Sequence, residues 1–277
     1  MRLQITHETR YTYEQPARSI MQILRLTPRN HDGQHVVRWR IEPGAEGKLT
    51  SGSDHFGNIV HVFSADESVQ DLAIVAVGEV ETSDVAGIVR QAVERVPDGC
   101  YLRSTISTEA DEAIRAFAEK QRDGAGRTLP TLHNLMEAVH GAIRFDRDPT
   151  STSTTAAEAF ALGLGVCQDL SHVFIAAARH LGIPARYVSG YVLPPEGVVM
   201  QQAGHAWAEG LVPDLGWVGF DPTHLTCPTP SHVRVAIGLD SSEAAPIRGS
   251  RRGGGGETMA VRLTVEPAPG GQYQRQE

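Results

Sequence analysis

The chain has 277 residues, of which 40% are hydrophobic and 21% are charged. This is the composition of a globular protein with a sizeable core, arranged as one large domain or two ordinary ones. Asp and Glu total 33 against 25 Lys and Arg, and the net charge is −8. Because nucleic-acid binding needs clustered positive charge, this balance argues against a nucleic-acid partner.

The sequence also bears on cellular location. Its first residues alternate polar and apolar side chains, without the apolar region of a signal peptide, and no run of about 18 apolar residues predicts a membrane span. The three cysteines, Cys100, Cys167 and Cys227, are far apart and form no C-x-x-C pair. A cytoplasmic protein with no membrane partner, no disulfide framework and no structural zinc site is therefore expected.

Residues 1–82 favour β-structure. The predicted strands are RLQITHETRYTY, HVVRWRIEP, NIVHVFSAD and LAIVAVGEVET, and the segment PGAEGKLTSGSDHFGN between the second and third is rich in turn-forming residues. This pattern predicts an N-terminal antiparallel β-sandwich. Residues 83–104 are interpreted as a connector, because their helical spacing ends at Pro97–Gly99.

Helical patterns begin the next region, predicted as one core over residues 105–267. Thr108-x-x-Asp111 is interpreted as the cap of a first helix, and a second helix is predicted over Thr131–Ile143. In the following segment Thr155-x-x-Glu158 is typical of a capping box for a short third helix.

A fourth helix is predicted from Cys167 to His180, and Gly182 and Pro184 end it. Three strands follow: ARYVSGYVL, HAWAEGLV and GWVGFDP, the last two joined by a compact turn. The segment RGSRRGGGGE is interpreted as a flexible or ligand-shaped loop, and TMAVRLTVEP as the strand that closes the core. Residues 268–277 are expected to be disordered.

Cys167 is the most informative residue of the sequence. At the first turn of a helix, unpaired backbone N–H groups and the helix dipole favour a thiolate, which is the nucleophilic form of cysteine. A small buried hydrophobic residue is the alternative interpretation. Metal binding through Cys167, Asp169 and His172 is not favoured, because Cys167 and His172 would lie about 140° apart around the helix; Asp169 is expected to stabilise the helix start instead, and His172 to pack or hydrogen-bond locally.

His205 and Asp221 supply a candidate base and a candidate orienting acid on a predicted hairpin. Pairing Val212 with Trp217 would leave Asp221 about 10 Å too far along its strand to meet His205. A bulge, for which Gly210 and Gly219 are the natural sites, or a longer loop would correct this. Otherwise His224 or another group would be the neighbour of His205. Trp207 shares the strand face of His205 and is a candidate for the cleft wall or for the core.

Taken together, these segments resemble a known family. GVCQDLSHVFIAAARHLGIPARYVSGY and HAWAEGLVPDLGWVGFDPTH are similar to the core of bacterial transglutaminase-like proteins, which are related to papain-like cysteine peptidases. HETRYTYEQPA and DHFGN resemble the N-terminal β region of many bacterial members. The resemblance implies an α+β papain-like core in which the cysteine helix packs on an antiparallel sheet. It implies Cys167 as nucleophile, His205 as base and Asp221 as orienting acid, with no metal and no organic cofactor.

The sequence departs from animal transglutaminases at one position of this core. Animal transglutaminases carry an aromatic residue directly after the nucleophile, whereas Gln168 occupies that position here. The calcium sites of animal transglutaminases are also not recognisable in this sequence. Hydrolysis of a peptide or amide is therefore the first expectation, with a peptide or protein substrate and with Gln168 as a candidate cleft residue. Glutamine transamidation and a catalytically silent protein-binding module are the alternatives. The oligomeric state is left open.

Overall fold

The computed structural model describes residues 1–146, 150–194, 197 and 200–268. Apart from Ala268, the tail predicted to be disordered lies outside the described residues. The strands are β1 (Arg2–Thr27), β2 (Gln34–Pro43), β3 (Lys48–Ser53), β4 (Ile59–Ala65), β5 (Val69–Thr82), β6 (Ile88–Val89), β7 (Arg144–Phe145), β8 (Leu164–Gly165), β9 (Ala185–Val192), β10 (His205–Val212), β11 (Gly216–Phe220), β12 (His232–Gly238), β13 (Ile247–Gly253) and β14 (Glu257–Pro267). The α-helices are α1 (Glu112–Glu119), α2 (Thr128–Ala142), α3 (Ala156–Leu162) and α4 (Cys167–His180). The protein is α+β, as predicted.

The N-terminal sheet is antiparallel and is organised around the long strand β1. The first half of β1 pairs with β14 over Leu3–Tyr13 and with β5 over Arg2–Thr12, whereas the second half pairs with β13 over Ala17–Leu24 and with β4 over Ile20–Thr27. The pairing with β5 is interrupted between Thr12 and Ala17, and that with β13 shifts between Arg18 and Met21, where Ser19 adopts a positive φ of 48°. Side chains from both halves meet in one buried cluster, so the seven-stranded sheet curls around its own core.

Two strands of this sheet were not predicted. β3 lies in the turn-rich segment, and β13 takes up most of the segment interpreted as a loop. β3 is exposed along its whole length and β13 along most of it, so neither shows the alternation that reports a half-buried strand. Pairing with β4 and β1 gives these segments their structure.

The second sheet has the antiparallel order β12-β9-β10-β11-β6, and α4 packs on one of its faces. Strands β9 and β12 of this second sheet join the N-terminal sheet through a shared cluster that includes Leu3, Tyr191 and Val233. The strand β14 was expected to close the core, but it pairs with β1 along its whole length. Both ends of the chain therefore contribute to the sheet that packs beside the core.

The helix starts differ from the predictions at two places. Asp111, not Thr108, caps α1, since its carboxylate accepts the N–H of Ile114 at 2.8 Å. Thr108 lies in a preceding turn of 3₁₀-helix. α2 begins at Thr128, three residues early, because Pro130 is tolerated in a first helical turn. The capping box predicted for α3 is present.

Candidate active site

The first turn of α4 holds Cys167 in a half-buried position. Asp169, two residues further on, accepts the backbone N–H of Val166 and the hydroxyl of Thr150, both at 2.8 Å. The expectation that Asp169 stabilises the helix start is thus confirmed. His172 is buried and packs against the ring of Tyr187 as expected, but its hydrogen bond, from the N–H of Ser241 at 3.1 Å, joins it to a residue distant in the sequence.

The pairing of β10 with β11 differs by one residue from the sequence-based register. Val212 pairs with Gly216 rather than with Trp217. The ladder then runs regularly, so neither Gly210 nor Gly219 forms a bulge in these two strands.

Asp221 nevertheless reaches His205. It directly follows β11 and forms an isolated bridge with Thr226, so the chain turns back on itself there. One carboxylate oxygen, Oδ1, accepts the N–H groups of Thr223 at 2.9 Å and His224 at 3.3 Å. The other, Oδ2, lies 2.6 Å from Nε2 of His205. The predicted separation of about 10 Å is therefore wrong, because the side chain reaches back across the end of the hairpin.

With Nε2 engaged by Asp221, His205 has Nδ1 available for Cys167, and both residues line the same cleft. Burial lowers the pKa of His205, but the hydrogen bond with Asp221 and the interaction with the Cys167 thiol outweigh it and raise that pKa to about 10. Burial raises the pKa of Asp221, yet hydrogen bonds from imidazoles hold it well below its usual range. The structure thus brings Cys167, His205 and Asp221 together, with an imidazolium–carboxylate pair at neutral pH.

Two further histidines contact the same carboxylate oxygen. Nδ1 of His224 lies 2.7 Å from Asp221 Oδ2, and Nε2 of His232 lies 3.2 Å from it. The sequence offers His224 as a neighbour of His205, but it gives no signal for His232. His232 opens β12, and only the order of the core sheet, which places β9 between β12 and β10, brings it near the hairpin.

Thr229 fixes the tautomer of His232. Its backbone N–H donates to Nδ1 of His232 at 3.1 Å. An imidazole nitrogen that accepts a hydrogen bond carries no proton, so the proton of neutral His232 is on Nε2 and points at Asp221.

The other two candidate residues have different positions. Gln168 lines the cleft that contains Cys167, and its amide donates to the carbonyl of Thr152 at 3.5 Å. Trp207 is buried and is not among the described residues that line this cleft. Its ring contacts those of His205 and His232, at centroid distances of 6.0 and 5.5 Å. It belongs to the packing behind the histidines, on the sheet face away from α4.

The cleft lies between the core and the N-terminal sheet, and its volume is 610 Å³. Cys167 and His205 lie on the core side of the cleft, and His7, Tyr11 and Val261 line it from the N-terminal sheet. The sequence did not predict that the N-terminal region would form a wall of the cleft. Burial lowers the pKa of His7 to about 4, so the His7 side chain in this wall is uncharged at neutral pH.

The other two cysteines lie elsewhere. Cys100 is exposed, in the 3₁₀-helix Asp98–Leu102. Cys227 is partly buried, and burial raises the pKa of its thiol. Of the three cysteines, Cys167 is the one that lines the cleft together with His205.

Comparison with known proteins gives two family matches along the chain. Residues 3–81 match the bacterial transglutaminase-like N-terminal region, and residues 115–222 match the transglutaminase-like superfamily. The chain belongs to the transglutaminase-like superfamily. The second match contains Cys167, His205 and Asp221, and the first covers most of the N-terminal sheet.

Several relatives are similar to this chain. An uncharacterized protein of Mycobacterium tuberculosis is 30% identical, over 90% of this chain and 87% of its own length. A protein-glutamine gamma-glutamyltransferase of Pseudomonas aeruginosa is 29% identical over 139 residues, which are 47% of this chain and 20% of that protein. A solved structure from Cytophaga hutchinsonii, named "Putative Cysteine Protease", has a TM-score of 0.75 at 20% identity and covers 100% of this chain and 94% of its own. That likeness shows the fold.

No helix among the described residues is long and apolar enough to cross a membrane.

Proposed function

We propose that this protein is a thiol-dependent acyl-transfer enzyme that acts on amides, with Cys167 as nucleophile, His205 as general acid and base, and Asp221 as the residue that orients the imidazole. One observation carries the proposal. The imidazole of His205 lies 2.6 Å from the Asp221 carboxylate and shares with Cys167 the lining of a cleft of 610 Å³. Peptidases and transglutaminases that use a cysteine need these three roles of nucleophile, general acid and base, and orienting residue.

In the first half-reaction the Cys167 thiolate attacks the amide carbonyl, and a tetrahedral oxyanion forms. The imidazolium of His205 then donates its Nδ1 proton to the departing amine as the C–N bond breaks, which leaves a thioester on the sulfur. Asp221 holds Nε2–H of the imidazole at 2.6 Å, so the ring presents Nδ1 to the sulfur throughout.

The oxyanion needs hydrogen-bond donors at the start of α4. The backbone N–H of Cys167 lies in the first turn, where helix geometry provides no intrahelical acceptor for it. We assign the second donor to the side-chain amide of Gln168. Its contact with Thr152 is long, at 3.5 Å, so the amide is available to turn toward an oxyanion in the cleft.

In the second half-reaction the neutral His205 removes a proton from water, which attacks the thioester and releases a carboxylic acid and the thiol. A primary amine in place of water would give transamidation. Water is always present and needs no binding site of its own, so we propose hydrolysis as the main reaction. The similarity to the Pseudomonas glutamyltransferase supports transamidation as the second candidate.

The test is mass spectrometry of a peptide library incubated with the protein, with and without a primary amine. Hydrolysis predicts new peptide termini or deamidated glutamines, and transamidation predicts amine adducts. Cys167→Ala should abolish each product, whereas Cys227→Ala, which removes a partly buried thiol outside the site, should leave product formation unchanged. Product formation by Cys167→Ala at the wild-type rate would refute the proposal.

A further inference from the structure

The carboxylate of Asp221 is surrounded by more imidazoles than the proposed reaction uses. His205, His224 and His232 each present a ring nitrogen to it, and the ligand atoms of all four residues lie within 4.8 Å of one another. The proposed reaction assigns no role to His224 or His232. Such a group of nitrogen and oxygen atoms has the composition of a zinc site.

From this geometry we infer an inhibitory site for a divalent transition-metal ion, with zinc as the preferred ion, formed by Nε2 of His205, Nδ1 of His224 and Oδ2 of Asp221. Two imidazoles and one carboxylate suit zinc and its neighbours, whereas calcium and magnesium prefer oxygen ligands alone. Water would complete a tetrahedral coordination shell.

The distances between the ligand atoms allow a zinc ion to bind after a small adjustment of the side chains. Ligand atoms about 2.0–2.1 Å from a tetrahedral zinc ion lie about 3.3 Å from one another. In the structure Asp221 Oδ2 is 2.6 Å from His205 Nε2 and 2.7 Å from His224 Nδ1. Each pair would therefore separate by less than about 1 Å as the ion replaces the shared protons. The side chain of His224 is 37% exposed, which gives the ion access from solvent.

His232 has a different role in this site. Its Nδ1 accepts the backbone N–H of Thr229, so its Nε2 carries a proton and cannot bind a metal ion without breaking that contact. Nε2–H instead donates to Asp221 Oδ2 at 3.2 Å. Hydrogen bonds of this kind orient the carboxylate ligands of metal sites.

Metal binding would stop the proposed reaction by occupying its base. An imidazole that binds a metal ion through Nε2 is neutral and carries its remaining proton on Nδ1. It can then neither take the thiol proton of Cys167 nor form the imidazolium that protonates the leaving amine. This inhibition rests on the proposed function, whereas the binding of the ion does not.

The binding test uses the Cys167→Ala protein, which removes the thiol as a competing ligand. Titration with cobalt(II), followed by its visible absorption, and with zinc, followed by calorimetry, should each show one tight equivalent with a tetrahedral cobalt spectrum. His224→Ala in the same background should weaken binding by about 100-fold or more, and His232→Ala by about 10-fold or more. His140→Ala is the matched control, because His140 contacts the carbonyl of Pro222 beside the site and should not alter binding.

Loss of the tight equivalent in Cys167→Ala itself, relative to wild type, would show that the thiol holds the ion and would overturn the inference. Unchanged binding in His224→Ala would also overturn it. The inhibition arm measures alkylation of Cys167 by iodoacetamide in otherwise wild-type protein. One equivalent of zinc should slow alkylation, and His224→Ala should remove this effect. Binding without slower alkylation would contradict the inhibitory role while leaving the ligand assignment intact.

Discussion

Replacing Asp221 with Asn should strongly lower the pKa of His205. The amide keeps the size of the side chain and can accept Nε2–H, but it removes the negative charge. In the structure the pKa of His205 is raised from 6.5 to about 10, which corresponds to roughly 5 kcal/mol in favour of the imidazolium at about 1.4 kcal/mol for each pKa unit.

Two other buried histidines, which have no hydrogen bond to a carboxylate, show the effect of burial on the pKa of an imidazole. Burial lowers the pKa of His7 and of His172 to about 4 in each case. His7 is hydrogen-bonded to the hydroxyl of Tyr191, and His172 accepts a backbone N–H. In Asp221→Asn the pKa of His205 should therefore fall by at least about 2 units, since one close opposite charge accounts for about 1–3.

The assay is a pH titration of the imidazole resonances by NMR with labelled histidine, and His205→Gln assigns the signal. Asp240→Asn is a matched control. It changes a buried carboxylate whose Oδ1 accepts the N–H of Ser242, and it should leave the titration of His205 unchanged. If the wild-type ring titrates near its ordinary value, or if Asp221→Asn leaves the pKa in place, the reasoning about this pair is refuted.

Three further changes test the packing around the site. Glu209→Gln should lower the unfolding free energy by about 3–5 kcal/mol, because the largely buried Arg234 loses its carboxylate partner while Arg186 keeps Glu94. Burial raises the pKa of Glu209, but the two arginines outweigh it and lower that pKa to about 2. Its stabilisation should therefore be present above about pH 4.5 and lost as the pH falls toward 2, a dependence that urea titrations of the variant should lack. Asn58→Ala should lower the unfolding free energy by about 2–4 kcal/mol in the same assay. The Asn58 side chain accepts the N–H of Ile237 and donates to its carbonyl, both at 2.8 Å, and its loss leaves both backbone groups unpaired. Gly190→Ala should lower the thermal midpoint, because a Cβ there would lie 2.6 Å from the ring of Trp207; an unchanged midpoint would contradict the close packing of β9 and β10.

The helix that carries Cys167 could be predicted from sequence, because its signals are local. The apolar stripe of α4, its ends and the capping box at Thr155 and Glu158 all lie within a few residues of the features they determine. The unpredicted strands β3 and β13 lack such signals. Their side chains are mostly exposed, and their structure depends on partners far away in the sequence.

The hairpin shows a different limit of sequence reasoning. An error of one residue in strand register changes the neighbour of every side chain, and the turn at Pro213–Leu215 does not determine the register by its sequence alone. The contact between His205 and Asp221 also depends on how the chain turns after β11. His232 and the wall formed by His7 and Val261 could not be predicted, because they reach the site through the order of the strands and the packing of two sheets.

The most direct test of the central claim compares the three thiols in one protein. Peptide mass spectrometry after brief treatment with iodoacetamide at about pH 6 gives the alkylation rate of each cysteine, since only thiolate reacts appreciably. The account predicts that Cys167, although half-buried, reacts at least about tenfold faster than the exposed Cys100, and that His205→Ala removes this advantage. Equal, slow alkylation of both thiols, or a fast Cys167 that is indifferent to the loss of His205, would contradict it.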